Sequence, residues 1–310
     1  MSIDSKRLDI ICFGALNLDR LFLVDRIAGA GEESVILDVK EFPGGSAANT
    51  AVGLARLGLK VGYIGKVAED PEGRLLLNSL RVEGVDTMGV IRSRGGRSGV
   101  VMGYIDKSGE RALYVNPGVN DLIEFSEVNL EYASKAGLIH LTSFNGEKPL
   151  EAQKNVVKAL PDVKVTLDPG DIYAHKGLRA LKPIIERCYA FLPNEEELRL
   201  LTGEDYLEGS RIILEEGVRI VAVKLGERGC YITDGVESHL IKPFRVDVTD
   251  TTGAGDAFNA GFLYGLVRGK PLEKCGLLGN FVASRCIMRV GARDGLPRIG
   301  ELPPNLREDC

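Results

Sequence analysis

Short apolar segments recur along the chain and are separated by longer amphipathic ones. The apolar segments contain β-branched residues and are bounded by Gly, Pro, Asn or Asp, which is typical of strands buried in a parallel sheet. They lie at 8–16, 60–65, 136–141, 163–168, 188–193 and 218–225. Amphipathic segments of helix length lie at 46–57, 71–83, 147–159, 175–187 and 206–216. Strands that alternate with helices predict an α/β fold whose sheet is covered by helices on both faces.

Residues 18–42 and 95–118 interrupt this alternation. Both regions contain β-prone pieces such as DRLFLV and SGVVMGYID, and neither shows a convincing helical pattern. They predict antiparallel strands of a small sheet that lies apart from the main one and forms a lid. The prediction is therefore one domain over residues 1–310, with a lid from about 18–42 and 95–118. The tail from residue 295 onward is predicted to be a surface extension.

The composition is that of a globular protein with an unusual glycine content. Of 310 residues, 44% are hydrophobic and 27% are charged, which is ordinary for a soluble globular chain. The 38 glycines exceed the usual share of about 7%, but they follow no fixed period, and the 13 prolines are not in excess. A collagen-like or Pro/Gly-rich disordered chain is therefore excluded, and many backbone positions are expected to tolerate no side chain.

Charge and targeting signals exclude several classes of partner. The net charge of −5 gives no electrostatic footprint for nucleic acid or for an anionic membrane. The start of the sequence lacks the apolar core of a signal peptide, and no apolar stretch approaches the roughly 18 residues of a membrane span. We therefore expect a cytoplasmic protein that binds neither nucleic acid nor membrane.

The cysteines are scattered and form no C-x-x-C pair, which favours reduced core thiols over a metal site. They are Cys12, Cys188, Cys230, Cys275, Cys286 and Cys310. With three histidines in the whole chain, the sequence does not favour a histidine-rich metal centre either.

The segment 248–267, VTDTTGAGDAFNAGFLYGLV, carries the strongest chemical signal. Small residues at the start of a predicted helix let a ligand approach the backbone, and the free N–H groups and positive dipole end favour an anion. Asp256 in the first turn has two interpretations, a functional acid or a plain partner of the helix dipole. The segment has no G-x-x-x-x-G-K-[ST] phosphate loop and lacks the third glycine of the dinucleotide fingerprint, so both of those nucleotide-binding classes fit poorly.

The motif DTTGAGDAF at 250–258 resembles the C-terminal signature of the ribokinase-like, or PfkB, carbohydrate kinases. Residues 42–73 resemble the N-terminal signature of that family, and 192–203 resemble its N-x-x-E segment. Residues 223–230 resemble the strand-turn-strand that borders the nucleotide. The resemblance implies a ribokinase-like three-layer fold, with a central mostly parallel sheet flanked by helices and a small β-sheet lid. It also implies transfer of the γ-phosphate of ATP to a hydroxyl of a small sugar or sugar-like substrate.

The resemblance implies that Asp256 is the base that takes the proton from the substrate hydroxyl. The backbone N–H groups of Gly253, Ala254, Gly255 and Asp256 would then form an anion hole for the transferring phosphoryl group. The alternative for Asp256 is structural capping of the helix.

The acceptor site implied by the resemblance contains Asn17 and Asp19 as ligands of sugar hydroxyls. Gly44 and Gly45 would let the chain lie close to the sugar, with Asn49 one helical turn further on. The alternatives are that Asp19 caps a loop and that Asn49 satisfies nearby backbone groups.

The nucleotide and Mg²⁺ sites implied by the resemblance contain Asn194 and Glu197, which would act through water on the metal and on the phosphates. The same spacing also fits a helix N-cap with a capping box. Lys224, Gly226 and Gly229 would line the ribose and phosphates, although many members of the family carry Thr or another short residue in place of Lys224.

Thr252 and Asn280 complete the implied nucleotide site, with Asn280 beside the adenine or, alternatively, facing solvent from a helix. Asp250 resembles a ligand of an activating monovalent cation, with the carbonyl of Thr252 and the loop near Gly291. Gly295 stands where relatives often carry Ser or Thr, so dependence on K⁺ stays open.

The acceptor is not identified by the sequence. Departures from the ribokinase, fructokinase and ketodeoxygluconate kinase patterns leave a pentose or pentose phosphate, a polyol, or a nucleoside such as cytidine, adenosine or inosine. Apolar lid residues would cover a base, and Phe22, Leu23, Val101 and Tyr104 are candidates for that role or for the core of the lid sheet. ADP as donor and a catalytically silent sugar-binding regulator are further alternatives. A homodimer through the lid is expected from the resemblance.

Overall fold

The computed structural model describes residues 8–307. Its strands are β1 Leu8–Phe13, β2 Asn17–Val24, β3 Ile36–Gly44, β4 Val61–Ala68, β5 Asp86–Ser93, β6 Gly99–Ile105, β7 Arg111–Asn116, β8 Ala136–Thr142, β9 Lys164–Asp168, β10 Cys188–Phe191, β11 Ile220–Lys224, β12 Cys230–Thr233 and β13 Ser238–Ile241. Its helices are α1 Ser46–Arg56, α2 Pro71–Val82, α3 Leu130–Ala133, α4 Glu147–Ala159, α5 Gly170–Ile185, α6 Glu195–Thr202, α7 Tyr206–Glu215, α8 Ala254–Val267, α9 Leu272–Cys286 and α10 Pro304–Arg307.

The main sheet has nine strands in the order β13-β12-β11-β10-β9-β8-β1-β4-β5. The pairs from β5 through β11 are parallel, and β12 and β13 extend the sheet with antiparallel pairs. All six apolar segments predicted as strands are strands of this sheet. The predicted α/β fold is therefore confirmed.

Side chains on the two faces of β1 belong to two separate hydrophobic clusters. Ile10 and Cys12 lie in one cluster, which also contains buried residues of α1, α8 and α9. Ile11 and Phe13 lie in the other, with buried residues of α4, α5 and α6. Because successive side chains of a strand point to opposite faces, helices cover both faces of the sheet, as the amphipathic pattern predicted.

A second sheet has the strand order β3-β2-β6-β7 and is built from the two regions that interrupt the helix–strand alternation. The prediction that its strands are all antiparallel is wrong, because β2 and β6 pair in parallel. β2 follows β1 and β6 follows β5, and both of these main-sheet strands end at the same edge. The two β-hairpins therefore leave the main sheet side by side and in the same direction.

The C-terminal segment is not a surface extension over its described part. Leu296, Leu302 and Leu306 are buried in the same cluster as α1 and α9. The predicted surface extension is therefore wrong for this part, because the three leucines close that end of the core. Within residues 8–307, no helix combines the length and apolarity needed to cross a membrane.

Candidate functional site

The polar residues predicted to be functional meet at the edge of the main sheet where its parallel strands end. β1 ends at Phe13 and leads to Asn17 and Asp19 in β2. β9 ends at Asp168, and β11 ends at Lys224. Ligand sites in open α/β sheets usually lie at this carboxyl edge. Strand topology thus gathers side chains from distant parts of the sequence around the first turn of α8.

Asp256 lies in the first turn of α8 and faces α1. Its Oδ2 accepts a hydrogen bond of 2.9 Å from Asn49 Nδ2, and Thr50 Oγ1 donates to its backbone carbonyl at 3.3 Å. The N-cap of α8 is Gly253, at φ 76°, and no side chain caps this helix. The Asp256 carboxylate is therefore held by a neighbouring helix rather than used as a cap.

Gly253 is required where the chain turns into α8. Its φ of 76° lies in the left-handed region, and a Cβ there would lie 2.4 Å from Cβ of Ala292. The amide of Ala254 donates to Thr251 O at 3.1 Å, so in this structure Ala254 does not contribute to the predicted anion hole. Within the described chain, the amides of Gly253, Gly255 and Asp256 have no acceptor. These N–H groups, two of them in α8, are left to meet an anion.

The carboxyl group of Asp256 is difficult to ionise. Burial raises its pKa to about 7, and the negative charge of Asp168 acts in the same direction. Hydrogen bonds from Asn49 and Ser46 and the charge of Lys224 lower the pKa but do not offset burial. A carboxyl with a pKa near neutrality is suited to accept a proton from a substrate hydroxyl.

Lys224 and Asp168 form a buried ion pair beside the start of α8. Lys224 Nζ donates to Asp168 Oδ2 at 2.6 Å, and Asn259 Nδ2 donates to the same oxygen at 2.5 Å. Burial by itself lowers the pKa of Lys224, but the charges of Asp168 and Glu197 raise it above its ordinary value. A Cβ at Gly255 would lie 3.7 Å from Lys224 Nζ. The ammonium group is thus adjacent to the two free amides of α8.

Asn194 and Glu197 form the capping box that their spacing allowed. Glu197 N donates to Asn194 Oδ1 at 2.8 Å, and Asn194 N donates to Glu197 Oε2 at 2.7 Å. Burial raises the pKa of Glu197 to about 7, and Lys224 partly opposes this. The structural interpretation is therefore confirmed for the pair, and their contact with Mg²⁺ stays a prediction.

Asp19 is a partly buried carboxylate without a hydrogen-bond donor among the described residues. Burial raises its pKa to about 6, and the positive charge of Arg293 opposes that shift. A Cβ at Gly44 would lie 2.2 Å from Asp19 Oδ2, so this carboxylate packs directly on the glycine backbone. A carboxylate that no protein group donates to is free to accept hydrogen bonds from the hydroxyl groups of a bound ligand.

Asn17 is held in place by a residue that the sequence did not single out. Asn120 Nδ2 donates to Asn17 Oδ1 at 3.0 Å and to Leu16 O at 2.9 Å. Asn120 is 1% exposed. Gly45 is the N-cap of α1, directly before the helix that carries Asn49. The predicted acceptor residues thus lie around one end of α1.

Arg293 is a further buried residue that sequence reasoning missed. It is 8% exposed, and burial lowers the pKa of its guanidinium to about 10, so it keeps its charge at neutral pH. Its Nε donates to Asn49 Oδ1 at 2.8 Å. Asp168 and Asn259 were missed in the same way. Asp168 at a strand end, and Asn259 one turn after Asp256 in α8, are the signals that could have found them.

The remaining predicted residues lie at the margins of this site. Asp250 Oδ1 accepts from Thr252 N at 2.9 Å, and its Oδ2 accepts from Gly291 N at 2.8 Å. The Asp250 carboxylate therefore joins the two loops that were predicted to hold a monovalent cation. Binding of a monovalent cation between these loops stays a prediction.

Asn280 does not face solvent, because it is 6% exposed and its Nδ2 donates to Ile241 O and Lys242 O, each at 3.1 Å. Gly226 and Gly229 lie in the turn between β11 and β12. The adenine contact of Asn280 and the nucleotide contacts of the glycines stay predictions.

Comparison with known proteins gives matches along nearly the whole chain. A family model described as pfkB family carbohydrate kinase matches residues 7–299. An uncharacterized sugar kinase of Archaeoglobus fulgidus is 50% identical over 250 residues, which cover 80% of this chain and 99% of that protein. The ATP-dependent ribose-1-phosphate kinase of Halopiger xanaduensis is 32% identical over 284 residues, with coverage of 92% and 93%. The structure of Arabidopsis thaliana ribokinase complexed with ribose and ATP matches with a TM-score of 0.87 and 25% identity, with coverage of 98% and 100%. These matches confirm the resemblance that the sequence motifs indicated.

Proposed function

Since this chain belongs to the pfkB family of carbohydrate kinases, we propose that it transfers the γ-phosphate of ATP to a hydroxyl of a small sugar, with Asp256 as the base. The observation that carries this proposal is the Asp256 carboxyl, which Asn49 holds at 2.9 Å beside two free amides of α8. A base and an anion-binding turn within one helical turn are what phosphoryl transfer to a hydroxyl requires.

The transferring phosphoryl group is stabilised by the start of α8 and by Lys224. The amides of Gly255 and Asp256 point outward with the positive end of the helix dipole, which favours negative charge. Lys224 Nζ lies 3.7 Å from the position that a Cβ at Gly255 would occupy. The ammonium group, which donates to Asp168, can therefore donate a further hydrogen bond to a phosphate oxygen bound at the Gly255 amide. Removal of the hydroxyl proton to Asp256 then accompanies formation of the new P–O bond, and ADP leaves.

Magnesium accompanies ATP in this proposal, because it neutralises phosphate charge. Within the described residues, no group of three or more His, Cys, Asp or Glu side chains could hold a metal ion. Mg²⁺ commonly keeps several waters and is bound by substrate phosphates with one or two carboxylates. Glu197, with its neighbour Asn194, fits that role through water, and the metal would polarise the phosphates.

The acceptor binds between Asp19 and Asp256. Asp19 lacks a hydrogen-bond donor and Asn49 adjoins the base, so both side chains are placed to orient hydroxyl groups. Asn17, together with the backbone at Gly44 and Gly45, borders the same space. A polyhydroxylated sugar satisfies more of these groups than an apolar ligand does.

The orientation of the smaller sheet supports a sugar over a nucleoside. Phe22 and Tyr104 stack on each other with ring centroids 5.0 Å apart. Because side chains alternate along a strand, Phe22 lies on the opposite face of β2 from Asp19. The two aromatic candidates for covering a base therefore face away from the acceptor site, and Leu23 and Val101 are the candidates that remain on the Asp19 face.

The proposal is tested by a coupled assay over free sugars, sugar 1-phosphates, polyols and nucleosides. ATP and ADP are compared as donors, with and without K⁺, and Mg²⁺ is removed with a chelator. We expect turnover with ATP and Mg²⁺ and with at least one sugar or sugar phosphate. Turnover with nucleosides alone would replace the proposal by a nucleoside kinase. Binding of sugar without any turnover would favour a silent regulator.

The pH dependence of kcat/KM provides a prediction from the ionisation of Asp256. The base must be ionised to accept a proton, so activity falls as the pH drops through its pKa of about 7. We expect a tenfold loss of kcat/KM for each unit below that value. The measurement is a rate–pH profile at saturating ATP. A flat profile from pH 8 to pH 5 would contradict the role of Asp256.

Asp19→Asn provides a prediction for the acceptor site. Loss of the negative charge weakens the hydrogen bonds from sugar hydroxyls, so KM for the sugar should rise by roughly 10–100-fold. KM for ATP should stay within about twofold, since Asp19 borders the acceptor space. Initial-rate kinetics with each substrate varied in turn separate the two constants. An equal rise in both KM values would show that Asp19 is not specific to the acceptor.

We further propose a homodimer formed through the smaller sheet. Its edge strands β3 and β7 expose Leu37, Val39, Leu113, Tyr114 and Val115. Such apolar edges are usually covered in solution. Sedimentation equilibrium of the full chain tests this, and a monomer at micromolar concentration would count against it.

We also propose a cytoplasmic location, where the five thiols that are buried within residues 8–307 stay reduced. Cell fractionation is the test, and recovery outside the cytoplasm would contradict it.

A further inference from the structure

A continuous path of hydrogen bonds joins Arg293 to the proposed base. Arg293 Nε donates to Asn49 Oδ1 at 2.8 Å, and Asn49 Nδ2 donates to Asp256 Oδ2 at 2.9 Å. Arg293 lies in the loop after α9, whereas Asn49 lies in the first turn of α1. The fold therefore brings a buried cation to the far side of the amide that contacts the base.

The two ends of the Asn49 amide are not interchangeable in this environment. An arginine only donates hydrogen bonds, and a carboxylate only accepts them. If the amide rotated by half a turn, its N–H₂ group would face the guanidinium and its oxygen would face Asp256. Both hydrogen bonds would be lost, and Asn49 is 6% exposed, so little water could replace them.

Arg293 is itself held from several sides. Its NH1 donates to Ser79 Oγ in α2 at 3.2 Å, and its NH2 donates to Gly44 O in β3 at 3.5 Å. Arg56 NH1, from the last turn of α1, donates to the Arg293 carbonyl at 2.6 Å. Contacts other than the one with Asn49 thus hold Arg293 in place, so that its guanidinium can set the orientation of the Asn49 amide group.

We propose that Arg293 is a positioning residue that fixes the Asn49 amide so that its N–H₂ group faces the Asp256 carboxylate. This inference rests on the proposed function, in which Asp256 accepts the proton from the substrate hydroxyl. An Asn49 donor stabilises the ionised base before substrate binds, and it holds the carboxylate in one rotamer. Arg293 acts through Asn49 and does not itself touch the reacting atoms.

The charges around Asp256 give the direction of the expected change. The titratable and charged groups that face it are Asp168, Lys224, Arg293, Tyr63 and Cys286. Burial holds the pKa of Tyr63 well above its ordinary value and raises that of Cys286 to about 12, so both are neutral near pH 7. Asp168 and Lys224 offset each other. Loss of Arg293 removes both the remaining cation and the oriented donor, and the pKa of Asp256 rises.

The test is the pH dependence of kcat for Arg293→Met in the full chain at saturating acceptor and ATP, because Arg293 also lowers the pKa of Asp19 and a change in acceptor binding would enter kcat/KM. The acidic limb should move to higher pH by about one unit or more, and the rate on the alkaline plateau should change much less. Ser79→Ala is the matched control, because it removes another contact of Arg293 and leaves Asn49 untouched. Its acidic limb should coincide with that of the wild type.

Arg293→Gln provides a second variant if the Met variant does not fold by circular dichroism. Glutamine is neutral and both donates and accepts, so it no longer selects one orientation of Asn49, and the same shift is expected. In an Asn49→Ala background, either Arg293 substitution should move the acidic limb of the pH–rate profile much less, because Arg293 acts through Asn49. The inference would be overturned if the acidic limb of the pH–rate profile did not move in a folded Arg293 variant. It would also be overturned if the Arg293 substitution moved that limb by the full amount in the Asn49→Ala background. Failure of the proposed function is distinct, because Asp256→Asn would then retain activity.

Discussion

Asp256→Asn is expected to lower kcat by about 10²–10⁴-fold while leaving the affinity for ATP nearly unchanged. The amide has the size and shape of the carboxyl but cannot accept the proton of the substrate hydroxyl. Because the N-cap of α8 is Gly253 and no side chain caps it, the substitution removes no capping bond. Coupled measurement of ADP release gives kcat, and isothermal titration calorimetry gives the affinity for ATP.

Asp205→Asn is the matched control for that variant. Asp205 lies at the start of a different helix, and its carboxylate caps α7 by accepting from Leu207 N at 2.9 Å. The control should keep kcat within about twofold and lose at most about 1 kcal/mol of stability, since Asn is also a good N-cap. If Asp256→Asn kept a kcat similar to that of the control, Asp256 would not be the base.

Lys224→Met is expected to lower the free energy of unfolding by about 3–5 kcal/mol, because it leaves the Asp168 charge buried without its cation. The side chains are 12% and 9% exposed and Nζ and Oδ2 are 2.6 Å apart, so solvent screens this pair little. The double variant Lys224→Met/Asp168→Asn removes both charges and should recover most of the stability. Urea denaturation followed by circular dichroism measures each difference.

The same lysine variants separate stability from catalysis. If Lys224 also contacts the transferring phosphoryl group, the double variant should recover stability but stay at least about 10²-fold below the wild type in kcat. Lys66→Met is the matched control, because Lys66 is 8% exposed and its Nζ lies 2.6 Å from Glu127 Oε1. This ion pair does not include Asp256, Asp168 or Glu197. The control variant should lose stability and keep kcat. Recovery of kcat in the double variant would restrict Lys224 to a structural role.

Much of the fold could be predicted because its causes are local. The buried strands and amphipathic helices follow from hydrophobic spacing, and glycine at 253 follows from the turn before α8. The parallel pairing of β2 with β6 could not be predicted in this way. That pairing depends on where β1 and β5 end relative to each other, which is set by the order of strands in the main sheet.

Residues of the candidate site could be predicted where they belong to a sequence motif. They could not be predicted where their role depends on tertiary contacts. Asn49 and Asp256 were both predicted from motifs, but their hydrogen bond across 207 positions depends on the packing of α1 against α8. Arg293 occurs in a segment without a distinctive pattern, and Asp168 ends a predicted strand but belongs to no motif. Both acquire significance from burial and from the partners that tertiary structure supplies. A side-chain role for Lys224 was in doubt because many members of the family carry Thr or another short residue there. Its partner, Asp168, lies 56 positions away and could not be identified from the sequence.

The most direct test of a carbohydrate kinase that uses Asp256 as its base is ³¹P NMR of the full chain with ATP, Mg²⁺ and the best acceptor from the panel. The wild type should convert ATP to ADP and form one new sugar phosphate ester for each ADP. Asp256→Asn should form neither product at a comparable rate. Release of ADP and inorganic phosphate without an ester, or equal ester formation by the two proteins, would contradict this account.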